Sequence, residues 1–116
     1  MIDRLSLDGS KHPNFMGCWM LENSSLCDDL IGFFERNKDS QNPGVSGDGK
    51  HRETVKKSTD ITISPRSLED EKFQVVSTYV EHLKVCYLDY LEQWDFLKSF
   101  LPRVHIGLFN IQKYDE

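Results

Sequence analysis

The segment from Phe73 to Trp94, FQVVSTYVEHLKVCYLDYLEQW, decides the fold of this chain. Its apolar residues recur at alternating intervals of three and four, which is the spacing of one face of an α-helix. That stripe consists of Phe73, Val76, Val80, Leu83, Tyr87, Tyr90 and Trp94. Ser67 and the acidic residues that follow it are typical of a helix N-terminus. The sequence therefore predicts a long helix over 68–98, and its bulky aromatic side chains favour packing on a sheet over a two-stranded coiled coil.

A shorter helix is predicted before this segment, in NSSLCDDLIGFFERNK. Serines at its start can accept hydrogen bonds from free backbone amides, and the acidic residues after them suit the positive end of the helix dipole. Its predicted buried stripe is Leu26, Leu30, Ile31 and Phe34.

Strands are predicted in CWML (Cys18–Leu21), in STDITIS (Ser58–Ser64) and in the closing run over 103–114. In STDITIS, Ile61 and Ile63 fall on the face that we expect to be buried, and Asp60 falls on the other. The closing run carries apolar residues on both faces, which favours a central strand. We therefore expect an α+β fold, in which two main helices, the second long, pack on a small and incomplete antiparallel or mixed sheet.

The length of 116 residues predicts a single domain over 1–116. Residues 38–57 contain Pro43 and several glycines but few apolar side chains, so we expect a flexible loop there.

Composition argues against several kinds of partner and location. The net charge of −5 disfavours nonspecific binding to nucleic acid or to an anionic membrane, both of which reward clustered Lys and Arg. The three cysteines form no Cys-x-x-Cys pair, so we expect free thiols in a reducing compartment. The first ten residues, MIDRLSLDGS, contain no signal-peptide core, and no apolar run is long enough to span a bilayer. We expect a cytoplasmic protein.

Possible metal ligands are scattered along the chain. His51 and Glu53 form a His-x-Glu, and His82 and Cys86 lie four residues apart on the long helix. Neither pair has a visible third donor, and His105 stands alone, so solvated or structural histidines are the expectation. We predict no metal site and no set of catalytic residues in this chain.

The order of these elements resembles the N-terminal part of the 2-oxoglutarate- and iron(II)-dependent oxygenases, and the prolyl-4-hydroxylase-like members most of all. The resemblance runs from about Trp19 onward and is most specific at the ending NIQKY (Asn110–Tyr114). It implies a double-stranded β-helix that this chain only begins. It also implies iron(II) and 2-oxoglutarate as the cofactors of the complete protein, with a His-x-Asp or His-x-Glu that follows the strand and a distant His as iron ligands. Tyr114 matches the family position whose hydroxyl reaches 2-oxoglutarate.

The chain departs from that pattern because it ends at Glu116, before the place of the iron motif. His51 and Glu53 lie on the wrong side of Tyr114 to replace it. We therefore expect an N-terminal fragment that lacks the iron ligands and is inactive alone. The alternative is a protein-binding or oligomerising module that uses the helix over 68–98. In either case we expect a homo-oligomer, formed through an exposed sheet edge or through the long helix.

Overall fold

A computed structural model describes residues 2–7, 15–22, 24–45, 57–101 and 103–115. Within these ranges the fold is α+β, as predicted, with three helices, one of them long, and two small antiparallel sheets. The strands are β1 (Ile2–Leu5), β2 (Cys18–Leu21), β3 (Gln41–Pro43), β4 (Ser58–Ile63) and β5 (Phe109–Tyr114). The helices are α1 (Ser25–Arg36), α2 (Gln74–Gln93) and α3 (Leu97–Phe100).

The first sheet is a hairpin of β1 and β2. Ile2 pairs with Leu21, and Leu5 pairs with Cys18. The strand at Cys18–Leu21 was predicted, but its partner β1 was not, because IDRL shows too little alternation of apolar and polar residues.

The second sheet has the order β3-β4-β5, with β4 in the centre. Ile61 and Ile63 of β4 are almost completely buried, at 1% and 0% exposure, as predicted. They form the core with Phe33 and Phe34 of α1 and Val76 of α2. The odd-numbered face of the sheet therefore packs on both helices, and burial of these apolar side chains holds the sheet and helices together.

The prediction for the closing strand is wrong in two respects. The strand begins at Phe109, not at 103, and within the described residues it lies at the edge of its sheet. Val104, Ile106 and Leu108 are 56%, 41% and 73% exposed. The pairing with β4 stops at Ile63 and Phe109, since β4 is followed by Pro65, which has no amide hydrogen to extend a ladder.

The predicted stripe of α1 is partly wrong. Leu26 and Phe34 are buried, but Ile31 is 61% exposed and Phe33 is buried in its place. Leu26, Leu30 and Phe33 follow one another at intervals of four and three, whereas Ile31 is turned by about 100° from Leu30.

The long helix is shorter than the predicted 68–98. Two short 3-10 segments, Pro65–Glu69 and Glu71–Phe73, precede α2. Asp70, which was placed inside the first turn, is extended (φ −81°, ψ 135°), and its carboxylate accepts a hydrogen bond from the amide of Lys72. An aspartate that binds a nearby amide in this way competes with continuation of the helix. The helix ends at Gln93 because Trp94 leaves the helical conformation (φ −121°, ψ 68°).

Most of the predicted apolar seam of α2 is at least partly buried. Val76 is buried and Leu83 is 48% exposed, and the other five residues of the seam are partly buried: Phe73, Val80, Tyr87, Tyr90 and Trp94. Val85 and Leu88, which lie outside the seam, are 54% and 53% exposed. Only the two ends of α2 thus have fully buried residues, Val76 and Leu91.

The predicted loop over 38–57 is wrong at its beginning. Lys38–Ser40 form a 3-10 turn, and Gln41–Pro43 form β3, which pairs with β4. The side-chain amides of Asn37 and Gln41 donate to the carbonyls of Phe33 and Phe34, at 2.7 Å each. The bond from Asn37 satisfies a carbonyl at the end of α1, and the bond from Gln41 adds a second donor to the Phe34 carbonyl, which also accepts from the Asn37 amide. Residues 46–56 lie outside the described residues.

Among the described residues, no helix is long and apolar enough to cross a membrane.

Candidate functional site

Tyr114, the one residue that the sequence assigned to a cofactor, is the last residue of β5. Its side chain is 58% exposed. The main chain at Tyr114 pairs with Ser58, at the opposite end of the ladder from Phe109 and Ile63. The tyrosine hydroxyl therefore lies at an accessible end of the sheet, where a solute can reach it.

A row of polar side chains connects Tyr114 with the inside of the protein. Its hydroxyl donates to Oε1 of Gln112 at 3.3 Å, and Nε2 of Gln112 donates to Oδ2 of Asp60 at 3.1 Å. The hydroxyl of Ser58 donates to Oδ1 of the same carboxylate at 2.8 Å. Asp60 and Ser58 are only 5% and 8% exposed. The sequence placed Asp60 on the open face of its strand, and its burial was not foreseen.

A shallow depression of about 380 Å³ opens at the same end of the sheet. Its lining is largely polar and includes Lys38, Lys57 and Asp115. Asp115 offsets one of the two lysine charges, so the lining keeps a small excess of positive charge that attracts an anion weakly.

The candidate metal ligands do not come together in the described part of the chain. His51 and Glu53 lie outside the described residues. Nδ1 of His82 lies 2.8 Å from the carbonyl of Thr78, one turn earlier on the same helix, so this nitrogen is engaged locally. Burial raises the pKa of the Cys86 thiol, which keeps it protonated and a poor ligand. His105 lies in the exposed segment before β5.

No three His, Cys, Asp or Glu side chains in the described ranges are close enough to hold a metal ion. These residues therefore do not fit an iron(II) site, which needs three protein ligands on one side of the metal. The exposed hydroxyl of Tyr114 does fit one carboxylate of 2-oxoglutarate, since a phenol can donate a hydrogen bond to such a group.

The sequence analysis missed a cluster that joins the hairpin to α2. Nε and Nη2 of Arg4 donate to Oδ2 and Oδ1 of Asp89, at 2.7 and 2.6 Å. The indole Nε1 of Trp19 donates to Oδ2 of the same carboxylate at 2.7 Å. The hydrogen bonds from Arg4 and then from Trp19 lower the pKa of Asp89 to about 2. Both donors come from the hairpin and the acceptor from the helix, so these hydrogen bonds attach the hairpin of β1 and β2 to α2.

One signal for this cluster was present in the sequence. Asp89 is an acidic residue inside the apolar run YLDYL, and a charge at such a position is favourable when a partner compensates it. Nothing in the sequence indicated that Arg4 was that partner, because the two residues are 85 positions apart.

Gly17 allows the indole of Trp19 to take its position. A β-carbon on residue 17 would overlap with Cη2 and Cζ3 of the Trp19 indole and would be in close contact with Cζ2. Trp19 also contacts the ring of Tyr90 edge-on, with ring centroids 6.4 Å apart.

Comparison with known proteins adds no relative: no protein-family model, no curated protein and no solved structure matches this chain.

Proposed function

We propose that this chain is the N-terminal part of a 2-oxoglutarate- and iron(II)-dependent oxygenase of the prolyl-4-hydroxylase-like kind. In this proposal α1 and α2 support a sheet that continues as the catalytic roll, a double-stranded β-helix. The iron ligands come from residues that follow Tyr114 in the chain. The observation that carries the proposal is the accessible hydroxyl of Tyr114 at the end of an edge strand.

The arrangement of the sheet supports this proposal. β5 pairs with β4 along its whole length, from Phe109 to Tyr114, and among the described residues it has no strand on its other side. A strand with a free edge can take another strand by main-chain hydrogen bonds, and antiparallel strands of this length are the units of such rolls.

Chemistry at the tyrosine also supports the proposal. In this reading the Tyr114 hydroxyl donates a hydrogen bond to a carboxylate of 2-oxoglutarate and helps to orient it. Lys38 and Lys57 add positive charge at the same end of the sheet. Iron bound elsewhere in the complete protein would activate oxygen, and the described residues of this chain take no part in that step.

The first experiment is to read the coding sequence beyond Glu116. The proposal expects a His-x-Asp or His-x-Glu shortly after Tyr114 and a further His much later. A protein that contains this extension should release succinate from 2-oxoglutarate when iron(II) is added. Absence of any such motif downstream would end the proposal.

The second experiment tests the role of Tyr114 in that extended protein. Tyr114→Phe removes the hydroxyl and should raise the KM for 2-oxoglutarate by about three- to tenfold, the value of one hydrogen bond. Tyr79→Phe is the matched control, because Tyr79 is also exposed, at 40%, but lies on α2. An unchanged KM in Tyr114→Phe would remove this residue from the site.

A second candidate function is association without catalysis. Val85 and Leu88 form an exposed apolar surface on α2, and among the described residues β5 has no strand on its outer side. Such surfaces favour a protein partner or a second copy of the chain. Light scattering of the 116-residue chain distinguishes the two cases. A homo-oligomer that Leu88→Glu converts into a monomer would favour association through the helix, and a monodisperse monomer would oppose it.

A further inference from the structure

The hydrogen-bonded row behind Tyr114 explains how an exposed tyrosine at a strand end acquires a defined position. We propose that Gln112 and Asp60 are positioning residues for the Tyr114 hydroxyl, through which this chain would bind a carboxylate cosubstrate. The functional part of this inference rests on the proposed oxygenase function. The hydrogen-bonded row itself does not.

The pairing of β4 with β5 brings the row together. Asp60 lies directly opposite Gln112, and Ser58 lies directly opposite Tyr114. Residues that are opposite each other in an antiparallel pair point to the same face, so all four side chains share the face that is turned away from the core. Their contact is therefore a consequence of register.

The direction of the hydrogen bonds follows from the donors and acceptors. A carboxylate only accepts, so Gln112 must turn its Nε2 toward Asp60. Its Oε1 is then turned outward, toward Tyr114, and the tyrosine hydroxyl must be the donor at the 3.3 Å contact. The buried carboxylate thus determines which atom the exposed tyrosine meets.

The two ends of the row differ in exposure: one end is fixed inside the protein, and the other can contact a ligand. Asp60 is 5% exposed and its position is set by the strand, whereas Tyr114 is 58% exposed. The contact between Tyr114 and Gln112, at 3.3 Å, is longer than the usual range for a hydroxyl donor and is therefore weak. A charged carboxylate accepts a hydrogen bond about twice as strongly as an amide oxygen. An incoming carboxylate can therefore replace Gln112 as the acceptor of the hydrogen bond from a tyrosine that Gln112 already holds in position.

The first test uses NMR on the full 116-residue chain. The side-chain amide protons of Gln112 should exchange with solvent more slowly than those of Gln74, which is exposed on α2, and should show a through-space contact to the Tyr114 ring. Asp60→Asn should weaken both signs, because an amide oxygen accepts less strongly than a carboxylate and the asparagine can also turn its nitrogen toward Gln112. Gln112 signals that equal those of Gln74 and do not respond to Asp60→Asn would overturn the inference.

The second test uses the extended, iron-loaded protein. Gln112→Leu should raise the KM for 2-oxoglutarate about three- to tenfold and leave kcat within about twofold, since the residue orients the hydroxyl and takes no part in the reaction. Gln112 is exposed, but its replacement removes one donor to the buried Asp60, so the folding of this variant is checked by circular dichroism. Asn110→Leu is the control, because Asn110 lies on the same face of β5, is also exposed, and pairs with Thr62 outside the row.

The outcomes separate the inference from the function on which it rests. If Tyr114→Phe raises the KM but Gln112→Leu does not, the row has no positioning role, although the oxygenase proposal stands. If neither changes the KM, Tyr114 is not at the cosubstrate site, and the functional part of the inference fails with it. If both raise the KM while Asn110→Leu does not, the inference is supported.

Discussion

The two sheets of this chain are attached to α2 in different ways. The sheet of β3, β4 and β5 is held by a core in which Phe33, Ile61, Ile63 and Val76 have at most 1% exposure. The hairpin of β1 and β2 is held mainly by hydrogen bonds to one carboxylate, Asp89, with the ring contact of Trp19 with Tyr90 beside them, and none of the residues in its two strands is fully buried. Burial of apolar surface involves no titrating group and is not screened by salt, whereas a charged pair near the surface is weakened by acid and by screening. We therefore expect acid and salt to weaken the attachment of the hairpin to α2 more than the attachment of the sheet of β3, β4 and β5.

Phe33→Ala should have the largest effect on stability. It removes the largest fully buried side chain of the core and its ring contact with Phe73, whose centroid is 5.5 Å away. We expect a loss of about 3–5 kcal/mol in the free energy of unfolding, measured by urea denaturation. Ile31→Ala on the same helix is the control, because Ile31 is 61% exposed, and it should change stability by no more than about 0.5 kcal/mol. Similar losses for both variants would contradict the position of the core.

Acid should release the hairpin before it unfolds the core. The pKa of Asp89 is lowered from 3.8 to about 2 by Arg4 and Trp19, so the folded state gains stability from the ionised carboxylate above about pH 4. That gain is lost as the pH falls from about 4 toward 2. The tryptophan fluorescence should change in this range, and hydrogen exchange of β1 should become faster.

Asp89→Asn is the matched variant for this acid transition. It keeps the size of the side chain but removes the ionised group, so the step between pH 4 and 2 should disappear from both measurements. A step that persists in Asp89→Asn would have to come from other carboxyl groups.

Asp70→Ala should have an intermediate effect. The carboxylate of Asp70 accepts a hydrogen bond from the amide of Lys72 at 3.0 Å in the turn that leads into α2. Its removal should cost about 1 kcal/mol, the usual value for such a cap, and should appear as a lower midpoint of thermal unfolding. Asp28, an acidic residue in the first turn of α1, provides the comparison: the structure assigns it no capping hydrogen bond, so Asp28→Ala should lower the midpoint less.

Lys113→Met should have the smallest effect. Nζ of Lys113 lies 2.7 Å from Oε1 of Glu35, and the two side chains are about half exposed. An ion pair at this exposure is screened by salt, so the midpoint of unfolding should differ little from that of the unchanged chain. The small difference at low salt should vanish in about 1 M NaCl. A large and salt-independent loss would mean that the pair is part of the core.

The comparison also shows which parts of the fold the sequence could predict. Ile61, Ile63 and α1 follow from local periodicity, and the structure has them as predicted apart from the exchange of Ile31 for Phe33. The start of the long helix was predicted too early. Asp70 can be either a first-turn residue or a cap, and only its backbone conformation distinguishes the two. β1 and the cluster of Arg4, Trp19 and Asp89 depend on contacts between residues that are distant in sequence, which no local pattern contains.

In the candidate site, too, one residue could be selected from a local motif, and its partners could not. Tyr114 could be selected from the ending NIQKY, because that choice needs only a short motif. Its partners Gln112 and Asp60 depend on the pairing of two strands that are 52 residues apart, and this pairing could not be derived from either segment alone. The burial of Asp60 likewise depends on what surrounds the sheet.

The absence of a side chain at residue 17 has a consequence for any change made there. A methyl group at Gly17 would have to displace the indole of Trp19, and Trp19 is also one of the donors to Asp89. Gly17→Ala, although it adds only a methyl group, would thus change the environment of Asp89 on α2 without contacting it. We expect Gly17→Ala to raise the pKa of Asp89 toward its ordinary value by removing the hydrogen bond from Trp19, and to weaken the attachment of the hairpin to α2 although Asp89 stays ionised at neutral pH.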